Sequence, residues 1–151
     1  MFGLNSLMKN GGLKMREIVM LDQPPFIEDS KAPWDNLLEE DFHVKVFYDK
    51  YPVTEGHLLF VPKYNTVAVL MDAFEDAVRD GMRMVEDGEC DGFNVGFNYS
   101  KAAGQTVGWP HVHLIPRRTG DMEDPTGGVR HVIPEKGNYK KDEIGKIKKS
   151  V

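Results

Sequence analysis

Two periods of apolar and polar residues divide the chain. His43-Val44-Lys45-Val46-Phe47-Tyr48-Asp49 alternates and is rich in β-branched and aromatic residues. That two-residue period predicts a strand. His57-Leu58-Leu59-Phe60-Val61-Pro62 is a more apolar run that Pro62 ends, and Lys50 to Gly56 between them supplies Pro and Gly for a turn. The pair predicts a hairpin with a long connection. Leu70, Phe74, Ala77, Val78, Met82 and Val85 then recur at three- and four-residue spacing. This is the stripe of an amphipathic helix near 72–87, with Asp72 and Glu75 as a capping box and Gly88 just past its end. Phe93 to Tyr99 reads as another strand. A strand from Trp109 to Arg117 would put Trp109, His111, His113 and Ile115 on one side and Val112 and Leu114 on the other. Upstream, Pro33, Trp34, Leu37 and Leu38 stand in helical register, which predicts a short helix within 30–40.

Two sequential hairpins split by one long helix predict an antiparallel α+β fold. Residues 1–14, with Gly11-Gly12, read as a mobile N-terminal arm, 15–117 as the domain, and 118–151 as a tail. Gly and Pro break up 118–137 and the end is Lys-rich, so the tail is expected to cover part of the domain and fray at its end.

Composition narrows the partners. A net charge of −5 argues against a general nucleic-acid binder but leaves a small nucleotide open. No run reaches the length of a membrane span. Cys90 is the single cysteine, so the chain cannot form an internal disulfide, which is compatible with a cytoplasmic protein.

The chemistry centres on His111 and His113. An imidazole of near-neutral pKa is a nucleophile without a strong base, and the nitrogen that attacks is set by the proton its partner nitrogen donates. The loop from Ser100 to Gly108 can offer backbone N–H groups to a phosphate. Two other readings stand beside this one. His-x-His supplies two zinc ligands, with a third from His57, His131, His43 or a carboxylate. A solvated face that happens to carry two histidines fits as well. Arg117, Arg118 and Arg130 are further candidate cations for a polyphosphate.

Gly104-Gln105-Thr106-Val107-x-x-x-His111-x-His113-x-x-Pro116-Arg117 resembles the signature of the histidine triad (HIT) family of nucleotide hydrolases and transferases. Pro52-x-x-x-Gly56-His57-Leu58-Leu59-x-Val61-Pro62-Lys63 resembles the family's upstream hallmark. The two motifs occur in the family's order, and the resemblance covers residues 30–117. It implies a HIT-like fold, an antiparallel sheet of about five strands with one long and one short helix. It implies that His111 attacks the α-phosphate and carries the nucleotidyl group. His113 would support it, His57 would buttress the pair, and Asn98 would lie near the phosphates or leaving group. By the same resemblance, Gln105, Thr106 and Val107 form the phosphate loop, Asp49 binds ribose, and Phe47 walls the base pocket. One position departs. Trp109 stands where the family has the first triad histidine, and with one N–H donor and no ring acceptor it cannot replace an imidazole; stacking on a base is one role for it, packing against the loop another. The implied activity is hydrolysis at the α-phosphate of a dinucleoside polyphosphate or related nucleotide conjugate through a covalent nucleotidyl-histidine. A transferase or phosphorylase, or a nucleotide binder with little catalysis, is the alternative. The expected state is a cytoplasmic homodimer, with no cofactor or metal and no nucleic-acid or membrane partner.

Overall fold

The computed structural model describes Pro24 and residues 26–141. The expected N-terminal arm and the end of the tail lie outside the described residues. Five strands form one antiparallel sheet: β1 (Leu37–Glu40), β2 (Val44–Tyr48), β3 (Leu58–Pro62), β4 (Gly92–Phe97) and β5 (Val112–Arg117). Their order across the sheet is β1-β2-β3-β5-β4. The long helix α1 (Val67–Glu86) connects β3 to β4.

Alternation along the strands sorts side chains into two layers. Val44, Val46, Leu58, Phe60, Val112 and Leu114 meet Leu70, Ala73, Ala77 and Met84 of α1 and form the main core. Phe47, Leu59 and Val61 gather with Ile27 and Trp109 in a second cluster. His113 is out of phase with Val112 and Leu114, and in register it pairs with Leu59 of that second cluster. The histidine site is therefore built on the sheet face that α1 leaves uncovered.

Four expectations change. Residues 30–40 carry no α-helix: Leu37–Glu40 is the edge strand β1, paired with β2 through a register irregularity between Leu37 and Glu39. All four of its residues are exposed, so no helical stripe is there to bury, and the open edge of β2 offers hydrogen bonds instead. Helix α1 begins at Val67, earlier than Asp72. Thr66 is its N-cap, accepting from the Val69 N–H at 3.3 Å. Its buried stripe is Val69, Leu70, Ala73, Ala77, Gly81 and Met84, which leaves Val78, Met82 and Val85 facing out. Finally, β5 starts at Val112, and Trp109–His111 are irregular chain leading into it.

The far end of α1 is as expected. Gly88, at φ +75°, follows the helix, with the Gly88 N–H bonded to Val85 O and the Glu89 N–H to Met84 O. Gly81 permits a close approach: a Cβ there would sit 2.6 Å from the Phe93 ring of β4. The described part of the tail holds a helical turn at Gly128–Val132 and the short α2 (Pro134–Gly137).

Candidate active site

The loop before β5 is shaped by its own side chain. Gln105 Oε1 accepts from the Ser100 N–H at 2.7 Å, and its Nε2 donates to Val107 O and Gly108 O, each at 3.0 Å. The Gln105 side chain thus braces the loop expected at phosphate. Thr106 and Val107 are left to line the cleft beside it.

Of the roles open to Trp109, its ring packs and does not stack on a base. Its ring is 1% exposed, packed with Ile27, Phe47, Leu59 and Val61, and Nε1 donates to Pro62 O at 2.8 Å. With no free ring face, its side chain belongs to the core and not to the ligand. Its carbonyl does reach the site, lying 2.9 Å from His111 Nδ1. A carbonyl only accepts, so His111 carries its proton on Nδ1 and keeps a lone pair on Nε2.

A second backbone group sets the other two histidines. The Val53 N–H lies 3.2 Å from His57 Nδ1, which must accept. Neutral His57 then holds its proton on Nε2, 3.0 Å from His113 Nδ1. His113 Nδ1 accepts it, and the His113 proton sits on Nε2. The Asp49 carboxylate closes the group. Its Oδ1 takes the Tyr51 N–H at 2.7 Å, and its Oδ2 lies 3.6 Å from His57 Nε2 and 4.0 Å from His113 Nδ1.

Burial pushes all three imidazoles below their ordinary pKa. For His111 the hydrogen bond to Trp109 O and the charge of Asp49 oppose it, and for His57 Asp49 alone does. His113 is pushed down to about 4, by burial first and then by its two histidine neighbours. All three are neutral near pH 7, the form in which His111 Nε2 is nucleophilic.

His111 and His113 open into a cleft of about 330 Å³, which Trp34, Tyr48, Tyr51, Lys50 and Asp49 also line. Trp34 meets the His111 ring edge-on, with centroids 5.0 Å apart. Phe47 lies behind it, buried, at 6.0 Å between centroids. The aromatic wall is therefore Trp34, and Phe47 supports it. Pro33 suits the first turn of a helix as well as extended chain, so the sequence carries no signal for the place Trp34 takes. Asn98 follows Phe97, which pairs with Val112, so it stands across the sheet from His111 but does not line the cleft. The three candidate arginines are all engaged elsewhere. Arg117 binds Asp121 through two nitrogens and Asn94 through a third. Arg118 donates to Glu55 O and Glu89 O, and Arg130 to Lys136 O and Gly137 O.

The zinc reading fares differently from its expectation. The donor set that gathers among the described residues is Asp49, His57 and His113, all within 4.8 Å, and it leaves out His111. His43 pairs with Asp72 and His131 bonds to Thr126 O. The Val53 N–H keeps the His57 proton on the very nitrogen that would have to ligate, so the group suits a hydrogen-bonded chain and we assign no metal to it.

A neutral imidazole held by a backbone carbonyl in a cleft of about 330 Å³ is able to form a bond to phosphorus, and the relatives of this chain are nucleotide-binding proteins with phosphohistidine chemistry. The chain belongs to the HIT family: the HIT domain description matches residues 31–120. It is 37% identical over 90 residues to an uncharacterized HIT-like protein of Methanocaldococcus jannaschii, covering 56% of this chain and 70% of that one. It is 31% identical to the adenosine 5'-monophosphoramidase HNT1 of Saccharomyces cerevisiae, over 81% of this chain and 75% of that protein. Among solved structures, a Zn-bound histidine triad family protein from Mycobacterium smegmatis superposes with a TM-score of 0.54 at 30% identity, covering 64% of this chain and 73% of that one. Among the described residues no helix is long and apolar enough to cross a membrane.

Proposed function

We propose that this chain hydrolyses nucleotide conjugates at the α-phosphate, with dinucleoside polyphosphates and nucleoside phosphoramidates as the substrates to try first. One observation carries the reading: the His111 Nδ1 proton is committed to Trp109 O, which leaves the lone pair on Nε2 of a ring that lines the cleft. Nε2 forms a bond to the α-phosphorus, and the bond from phosphorus to the leaving group breaks, its electron pair going with the leaving group. Water then attacks the nucleotidyl-histidine and returns Nε2 to its resting state. The Trp109 carbonyl holds the ring in place while it carries positive charge. Thr106 and Val107 offer backbone N–H groups to the phosphate, and Asn98, outside the cleft wall, serves the part of the leaving group that projects beyond it. The resemblance to an adenosine 5'-monophosphoramidase supports a nitrogen leaving group as well as a phosphate one.

His111→Ala should lower kcat by at least about a thousandfold and leave nucleoside monophosphate binding within a few-fold. Turnover that survives the substitution would end this reading. Adding inorganic phosphate separates hydrolase from phosphorylase, because only a phosphorylase would then release the attacked nucleotide as its diphosphate in place of the monophosphate.

The chain would act as a homodimer. Met71, Val78 and Met82 line an apolar groove on the outer face of α1 with Met71 56% and Met82 52% exposed, a face that a second copy would cover. Sedimentation should give twice the chain mass, and Met82→Asp should return it to the monomer value. A wild-type monomer would contradict the dimer without touching the chemistry.

A further inference from the structure

The carboxylate of Asp49 stands where a ribose binder is expected, yet half of it turns to the histidines. The Tyr51 N–H fixes its Oδ1, which aims Oδ2 at the point between His57 Nε2 and His113 Nδ1. Those two nitrogens are 3.0 Å apart and share one proton in the neutral state. A second proton taken up by His113 puts an N–H on each side of that contact. His57 cannot turn its own proton away, because the Val53 N–H occupies its other nitrogen. Of the groups within reach, Asp49 Oδ2 is the acceptor for both.

We propose that Asp49 is a positioning residue that acts as counter-ion to the His57–His113 pair: its Oδ2 receives the N–H groups of both rings when His113 takes a second proton. The charge placed on the pair is then balanced inside the cleft. His113, with protons on both nitrogens, can give its Nε2 proton to a leaving group that departs as an anion. The leaving group keeps the electron pair of the broken bond to phosphorus, and His113 returns to neutral. This catalytic part rests on the proposed hydrolysis; the proton uptake does not.

The groups facing His113 are His57 at the start of β3, His111 ahead of β5 and Asp49 at the end of β2. Tyr48 lines the same cleft from the end of β2, Lys50 and Tyr51 from the β2–β3 connection, and Asp35 from the chain ahead of β1. The Asp49 charge favours the protonated form of all three imidazoles.

The test is a pH titration of the histidine rings by NMR in the ligand-free protein, for wild type, Asp49→Asn and Asp49→Glu. Asp49→Asn should lower the midpoints of His113 and His57, while the remote His43 and His131 stay put; Asp49→Glu should restore part of the shift. Unchanged midpoints for His113 and His57 in a folded Asp49→Asn protein would overturn the proposal. So would equal shifts at all five histidines, which would report a general change of fold. For an active enzyme, Asp49→Asn should slow a phosphoramidate at least tenfold more than an aryl ester of the same nucleotide, whose leaving group needs no proton. An equal loss on both, removed by 2′-deoxy substrates, would reduce Asp49 to a ribose contact. No turnover by wild type on any conjugate would sink the hydrolase reading and leave the titration standing.

Discussion

Two backbone groups fix the protons on three imidazoles. The Trp109 carbonyl accepts only and the Val53 amide donates only, so neither histidine they touch can exchange tautomers without losing a bond. Because burial holds His111 below its ordinary value, it should stay neutral below pH 6.5. For a substrate whose leaving group needs no proton, the pH profile of kcat/KM should be flat from neutral pH down to that value and fall only on its acid side. Stability follows the same sign. His113 binds a proton more weakly folded (about 4) than unfolded (6.5), so its contribution is complete above pH 6.5 and is lost as the pH falls through 4. Thermal melts between pH 7 and 4 check this, and a Tm that rises on acidification would refute it. At the cleft wall, Trp34→Ala should raise KM by roughly 5- to 150-fold, the range expected from about 1–3 kcal/mol of base stacking. Trp109→Phe keeps the carbonyl that holds His111. It should cost about 1–3 kcal/mol, by stranding Pro62 O, and change kcat little.

At the level of elements, most of the sheet was legible and the start of the helix was not. Strands β2 to β4 and most of β5 announce themselves by alternation and β-branched residues, because their packing partners lie on known faces. Strand β1 does not, since none of its residues is buried and only the neighbouring edge of β2 makes it a strand. Asp72 and Glu75 matched a capping pattern, but Thr66 sits a turn and a half earlier and takes the cap first. Thr66→Ala should therefore destabilise by about 1 kcal/mol, whereas Asp72→Ala should have a smaller effect on the helix start. Gly81→Ala forces a methyl into the Phe93 ring and should cost about 1–3 kcal/mol, and Gly81→Ala with Phe93→Leu should recover part of it. Chemical denaturation of the four proteins tests both comparisons.

For the whole molecule, the histidines of the site, Asp49 and the Thr106–Val107 loop were readable while its aromatic walls were not. His57, His111 and His113 stood in motifs whose spacing survives any fold that pairs β3 with β5. Trp34, Tyr48 and Tyr51 come from chain segments that only the sheet brings to the same cleft. No sequence pattern joins them. Gln105 and Trp109 were placed correctly along the chain but turn inward, because a loop whose polar groups bond to each other satisfies them more completely than solvent does. The cleft volume has its own consequence. About 330 Å³ seats one mononucleotide, so the other half of any conjugate projects beyond the walls. The released mononucleotide then competes for the seat its parent occupied. Product inhibition should carry one constant for a given nucleotide, whichever group that nucleotide was attached to.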